Sequence, residues 1–188
     1  MTMKRSALFY LHQREGASFT NHQGWELPAF FTAPEQESAA IRKSAGLADL
    51  SHLLKFDVQK ESRGKSWRLG ANHYLLMGEP PLSPPADAID VSGVYTSLRL
   101  CGPRSREVLN KLTSLNVSSA SLPNLSCAQA SVAHAHAIVM RDDIGSMHAF
   151  YLLISREYAE SVWESIIHAG HEFHLCPIGL TALQSLHN

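Results

Sequence analysis

The stretch ALFYLHQREGASFTNHQGWELPAFFTAPEQESAAIRKSAGLADLSHLLKFDV, residues 7–58, decides how this chain folds. Within it, residues 7–15 predict a short helix, with Leu8 and Leu11 on one side and Gly16 as its stop. Residues 34–45, PEQESAAIRKSA, predict a second helix. Pro34 suits a first turn, acids fill the N-terminal end, and Arg42 and Lys43 fill the C-terminal end, matching the helix dipole. Gly46 reads as the stop of that helix. LADLSH (Leu47 to His52) and KFDV (Lys55 to Val58) then predict strands with a break between them.

Outward from this stretch, WRLGANHYLLMG (Trp67 to Gly78) predicts a hairpin turning at Gly70, Ala71 and Asn72. EPPLSPPADA (Glu79 to Ala88) holds four prolines, too many for a helix interior or a central strand, and reads as an exposed connector between two halves. Val94 to Gly102 predicts a strand whose inward positions alternate with Thr96 and Arg99. Pro103 opens a helix through Leu112, with Val108, Leu109 and Leu112 as its buried stripe. Cys127 to Arg141 reads as one strand and His148 to Ser155 as another, joined by a loop around Asp142 to Met147. Residues 156–170 predict the clearest helix, with Tyr158, Val162, Trp163, Ile166 and Ile167 on one side and Gly170 as its stop. Strands and helices are mixed without a strict repeat. That pattern predicts an α+β fold with mainly antiparallel sheets, one domain over 1–188 made of half-repeats at about 1–90 and 91–188.

Sixteen basic against seventeen acidic residues leave a net charge of −1, which gives no support to electrostatic binding of nucleic acid or an anionic membrane. The locally basic run Glu61 to Arg68 reads as a solvated loop or strand edge. Cys101, Cys127 and Cys176 are far apart and odd in number, so they read as reduced thiols in a cytoplasmic protein. The N-terminus lacks the apolar run of a signal peptide, and no apolar stretch is long enough to span a bilayer. Eleven histidines include His134-x-His136 and a group at His168, His171 and His174. Neither set has the acid or cysteine companions of a zinc site, so no metal is expected. Trp25 reads as core or as a stacking platform, and Trp163 as core.

Four pieces of the opening stretch occur in order: LxxLH (Leu8 to His12), GWELP (Gly24 to Pro28), the helix ending at Arg42, and GLADLSH (Gly46 to His52). Together they resemble the N-terminus of the glycine-cleavage T-protein family, the tetrahydrofolate-dependent aminomethyltransferases. The second half resembles the same family in Arg99 to Leu109 and in the strand, helix and GL-x-A-x-x-S-L segment that end the chain. It is closer still to the gamma subunit of heterotetrameric sarcosine oxidase. That likeness rests on LG-x-x-x-x-LL-x-G (Leu69 to Gly78), DVS (Asp90 to Ser92), CAQ (Cys127 to Gln129) and R-x-D (Arg141 to Asp143). The resemblance implies the superfamily's folate-binding domain, with duplicated β-α-β halves and no C-terminal barrel within these residues. It implies tetrahydrofolate as the cofactor and aminomethyl transfer as the family reaction. It also implies either a homodimer or a subunit of a larger folate- or flavin-dependent enzyme as the working assembly.

The family reaction needs a pocket for a flat pterin and a carboxylate near the folate amine. The family's N-x-x-G-G-x-x-D-D-type loop, which carries that carboxylate, has no counterpart between Val58 and Asp90. The acids there are Glu61, in a charged stretch, and Glu79 and Asp87, which flank prolines. No catalytic residue is therefore assigned. By family position the pocket residues are Leu53, where the family has Met, and Arg141, which is retained. Met147 stands for a pterin-binding Glu, and Leu183 for a folate-contacting Arg. The last two replace polar partners with apolar groups, which weakens a site built to hydrogen-bond its ligand. These departures predict little or no transfer activity by this chain alone and bring forward a second reading, a non-catalytic structural subunit. His52 is expected to order the strand break beside the pocket. Asp142–Asp143 reads as a solvated hairpin turn.

Overall fold

The computed structural model describes residues 3–62 and 65–186. Arg63 and Gly64 of the basic run, and the ends of the chain at 1–2 and 187–188, lie outside the described residues. The strands are β1 (Lys4–Arg5), β2 (Ser18–His22), β3 (Trp25–Phe30), β4 (Gly46–Asp49), β5 (Leu54–Val58), β6 (Ser66–Gly70) and β7 (His73–Gly78). They continue as β8 (Ile89–Asp90), β9 (Tyr95–Cys101), β10 (Cys127–Val132), β11 (Ala135–Arg141), β12 (Ala149–Ser155) and β13 (Cys176–Pro177). The α-helices are α1 (Phe9–Arg14), α2 (Pro34–Lys43), α3 (Ser105–Asn110), α4 (Ala159–Gly170) and α5 (Leu180–Gln184).

The strands make three sheets, ordered β1-β3-β2, β10-β11-β12-β9-β4-β13 and β6-β7-β5-β8. Pairing is antiparallel except for β1 with β3 and β13 with β4. None of the sheets closes into a barrel, and the architecture is α+β, as the mixed pattern of elements implies. Among the described residues no helix is long and apolar enough to cross a membrane.

The six-stranded sheet is covered on both faces. Leu98, Leu100, Phe150, Leu152 and Ile154 pack with α1, α3 and α4 through Leu8, Leu11, Val108, Leu109, Val162, Trp163 and Ile166. The opposite face carries Cys101, Ile138, Met140, Ala149 and Leu153 against Trp67, Leu75 and Met77 of the four-stranded sheet and Leu180 and Leu183 of α5. Alternate residues of a strand point to opposite faces, so a strand covered on both sides reads apolar nearly throughout.

Several details differ from expectation. Residues 127–141 form a hairpin, not one strand: β10 and β11 pair from Cys127 with Met140 to Val132 with Ala135. The turn residues Ala133 and His134 both have positive φ, 49° and 66°. Such turns favour Gly, Asn or Asp, none of which marks this one. His134 therefore sits in the turn while His136 is on β11, and the two do not share a strand face. Thr96 and Arg99 are buried, because β9 is a central strand. Gly46 does not stop α2 but begins β4, where a Cβ would meet Ile41 and Ile178 side-chain atoms at 2.8 Å. Gly170 lies within α4, and the left-handed residue that ends this helical region is His174, after a 3₁₀ turn. Tyr158 is exposed and lies outside the buried stripe of α4. The proline-rich segment 79–88 joins β7 to β8, which lie in the same sheet.

Glu37 holds the C-terminal segment in place. It is buried in the first turn of α2, where the dipole argument alone would leave it at the surface. Its Oε1 accepts the backbone N–H groups of Phe31 (2.5 Å) and Thr32 (2.8 Å), and its Oε2 accepts that of Gly179 (2.9 Å). Gly179 lies so close to β3 that a Cβ would fall 2.1 Å from the Ala29 carbonyl oxygen. Together they seat α5 against β3 and α2, and α5 forms one wall of the site.

Candidate functional site

A cavity of about 350 Å³ lies between the four-stranded sheet and α5. Its apolar wall is Leu50, Leu53, Trp67, Met77, Leu180 and Leu183. Its polar rim is His22, Lys65, Glu79, Tyr151 and Gln184. A second cavity of about 330 Å³ shares Lys65, Tyr151 and Leu183 with the first and adds Arg99, Asp142 and Asp143. The two adjoin along the Tyr151 ring.

The break between β4 and β5 supplies one end of the site. Asp49 Oδ1 accepts the Ser51 backbone N–H (2.9 Å) and hydroxyl (2.5 Å), closing the turn. Lys55 is fully buried beneath it and donates to the carbonyls of Ser51 (3.2 Å) and Leu53 (2.8 Å). Burial pulls the Lys55 ammonium down to about 8, and the charges of Asp49 and Asp90 limit the fall. The turn presents Leu53 to the cavity and aims His52 at its rim.

His52 Nε2 lies 3.0 and 3.1 Å from the two carboxylate oxygens of Glu79. His22 Nε2 lies 3.5 Å from Glu79 Oε2, and the two imidazole rings meet edge-on. The His52 hydrogen bond, joined by that of His22, outweighs burial and holds the Glu79 carboxyl below its usual range. His52 thus reaches the cavity rim through Glu79, while Asp49 closes the strand break.

The other rim is built on β9 and β12. Arg99 stacks on the Tyr151 ring, 4.0 Å from its centroid, and donates from Nη2 to the Asp142 carbonyl oxygen (2.6 Å). Lys65 Nζ pairs with Asp142 Oδ2 at 2.5 Å. Arg141 is buried: it binds the Asp143 carboxylate through Nε and Nη2 and donates from Nη1 to the Leu122 carbonyl. Burial alone would raise the Asp143 carboxyl; the hydrogen bonds from Arg141 and the Ala149 N–H outweigh it and leave it below its usual range. The acidic pair is therefore not a solvated turn. Both acids are engaged, one by Lys65 and one by Arg141.

Of the four family-position residues, Leu53 and Leu183 meet in the cavity wall. Arg141 lies behind it, bound to Asp143, and Met147 is half-buried, paired with Ile144 outside the lining. Trp25 is half-buried and does not line the cavity; Trp67 does. The sequence reading missed Trp67, Tyr151, Arg99, His22 and Glu79. Glu79 was hidden by its place before two prolines, although it is the carboxylate that the cavity rim holds.

Two buried donors lie in side chains that line the cavities. Among the described residues, Trp67 Nε1 and Arg99 Nη1 have no hydrogen-bond partner, and these side chains line the two cavities. An unpaired buried donor costs about 1–3 kcal/mol, which a bound acceptor recovers. Leu183 and Leu53 supply apolar contact for a flat ring. The site thus combines an apolar wall with nitrogen donors from Trp67 and Arg99.

Known proteins agree with this architecture. The sequence profile described as the GCVT N-terminal domain matches residues 70–187. An aminomethyltransferase of Geobacillus sp. (strain WCH70) is 27% identical over 231 aligned positions, covering 98% of this chain and 63% of that protein. The aminomethyltransferase of Geobacillus thermodenitrificans is 30% identical with the same coverage. The chain thus spans about 63% of the length of these relatives. The aligned span exceeds the chain's 188 residues, so the relatives carry internal segments without a counterpart here. In structure the chain is similar to the glycine cleavage system aminomethyltransferase T of Bartonella henselae, with a TM-score of 0.79 and 19% identity over 98% of this chain and 62% of that one. It is also similar to a chain of heterotetrameric sarcosine oxidase from Corynebacterium sp. U-96, with a TM-score of 0.60 and 16% identity over 75% of this chain and 92% of that one. On the match over residues 70–187, the chain belongs to the GCVT N-terminal domain family.

Proposed function

We propose that this chain binds a reduced folate in the paired cavities, as an aminomethyltransferase-type domain of one-carbon metabolism, with residues 1–188 acting as one domain. The observation that carries the reading is the pair of unpartnered buried donors, Trp67 Nε1 and Arg99 Nη1, in cavities walled by Leu53, Trp67, Tyr151 and Leu183. The cavity of about 350 Å³ would take the pterin against Leu53 and Leu183, with Trp67 Nε1 donating to a ring acceptor. Arg99 and Lys65 in the adjoining cavity suit a carboxylate. When bound, tetrahydrofolate supplies the amine that accepts a one-carbon unit. Glu79 is the carboxylate the rim offers near such an amine, but His52 and His22 already engage it. We therefore expect the isolated chain to transfer one-carbon units at a very low rate or not at all.

The test pairs two assays. Quenching of tryptophan fluorescence by tetrahydrofolate reports binding next to Trp67, and product formation from an aminomethyl-lipoyl donor reports transfer. Saturable quenching without measurable transfer is expected; quenching that a Trp67→Phe variant leaves unchanged in affinity would count against the assignment of the cavity.

A second reading is a non-catalytic subunit working through protein contacts, in a homodimer or a larger folate- or flavin-dependent enzyme. Leu183 on the cavity wall favours it, because an apolar group there forgoes a polar contact to the ligand. Absence of quenching in the same experiment supports this reading over the first.

A further inference from the structure

Three side chains far apart in sequence meet at the rim of the cavity. His22 ends β2, His52 lies in the turn between β4 and β5, and Glu79 follows β7. One ligand-type atom from each lies within 4.8 Å of the others. The imidazole-to-carboxylate separations are 3.0, 3.1 and 3.5 Å. Around a tetrahedral zinc ion with bonds of about 2.1 Å, ligand atoms sit roughly 3.4 Å apart. The imidazole-to-carboxylate separations bracket that value and all three ligand atoms lie within 4.8 Å of one another, so side-chain adjustments bring the triad around one ion. Two imidazoles and one carboxylate, with a side left open, are also a donor set that zinc and its neighbours favour.

We propose that His22, His52 and Glu79 form a binding site for a divalent transition metal of the zinc class, its open position facing the cavity. His52 has no exposed side-chain surface, so its ring is fixed by packing. The His22 ring packs edge-on against it at 4.8 Å, and both rings aim Nε2 at one carboxylate. Glu79 is partly open to solvent, which provides the route of entry. Among the described residues His52 Nδ1 has no partner. A ligating histidine whose second nitrogen lacks an acceptor binds about 10–100-fold more weakly than one with that support. The site should accordingly bind more weakly than one whose histidines both have that support.

The test uses the full chain, freed of metal by a chelator and without folate, so its result does not depend on the ligand reading. Zn²⁺ is titrated by calorimetry, and Co²⁺ by its visible d–d absorption. Saturable binding of one equivalent and a tetrahedral Co²⁺ spectrum are expected. His22→Ala and Glu79→Gln, each at a side chain with solvent exposure and so expected to fold, should each weaken binding at least about tenfold. A His134→Ala/His136→Ala double variant removes two exposed histidines elsewhere and should leave binding unchanged. No saturable binding at millimolar metal, or binding that survives both site variants, overturns the proposal.

Discussion

Replacing Glu37 tests whether a buried carboxylate seats the wall of the cavity. Its three acceptor contacts, at 2.5, 2.8 and 2.9 Å, serve backbone N–H groups on two separate segments. Hydrogen bonds to a charged group contribute about 1.5–3 kcal/mol each, and an orphaned buried donor costs a similar amount. Glu37→Gln can keep its carbonyl oxygen on Phe31 and Thr32, but it then places an amide N–H₂ against the Gly179 N–H. That variant should lose about 2–3 kcal/mol. Glu37→Ala leaves all three donors unpaired and opens a void, and should lose about 4–6 kcal/mol. At about 2–4 °C per kcal/mol for a chain of this size, the midpoint falls roughly 4–12 °C for Gln and further for Ala. Thermal and urea melts at neutral pH measure both. Because the Gly179 contact places α5, tetrahydrofolate binding should weaken in Gln beyond what its stability alone accounts for. A Gln variant within about 0.5 kcal/mol of the parent, or an Ala variant no worse than Gln, would refute the reasoning.

Buried titrating groups predict the dependence of stability on pH. His12 is fully buried, 3.4 Å from Asp49 and 3.6 Å from Glu15, distances that make ion pairs, not tight hydrogen bonds. Burial lowers its basicity, but those acids outweigh it and leave the imidazole above 6.5. A raised group stabilises fully below its unfolded value, so the melting midpoint should fall as pH climbs from 6.5 through the folded value, and His12→Asn should abolish that slope. Asp49 is fully buried, which opposes ionisation, yet His12 and Ser51 hold it below 3.8; its contribution persists above that value and disappears as pH falls through its folded value. Lys55 behaves oppositely to His12: with its ammonium drawn down to about 8 from 10.5, stability should rise between those values, and Lys55→Met should remove the rise. Tyr151→Leu removes the ring that Arg99 stacks on; a desolvated cation–π contact contributes up to about 2 kcal/mol, so the variant should lose about 1–3 kcal/mol in a urea melt and weaken tetrahydrofolate quenching.

Much of the fold was legible where local chemistry and packing agree. Leu8 and Leu11, the Pro34 start of α2, the break at Leu50–Leu53 and the hairpin around Ala71–Asn72 all carry their signals within a few residues. The turn at Ala133–His134 was not legible, because the pairing of β10 with β11 forces positive φ on residues that do not advertise it. Gly46 and Gly179 are glycines for close approach between elements far apart in sequence, which a helix-stop rule cannot detect. The site was partly legible. Leu53 and Leu183 follow from family position, and they do share a wall. His22, His52 and Glu79 are separated by strands and prolines, and only the sheet topology brings them together. Arg141 was singled out for the pocket, yet Asp143 holds it behind the wall, a pairing that only the fold reveals.

The most direct test of the central claim is a thermal melt of the pure chain with and without excess tetrahydrofolate. At a hundredfold excess over the dissociation constant, binding to the folded state adds about 2.7 kcal/mol. For a chain of this size the account predicts a rise in midpoint of roughly 5–10 °C. An unchanged midpoint at millimolar tetrahydrofolate would contradict it.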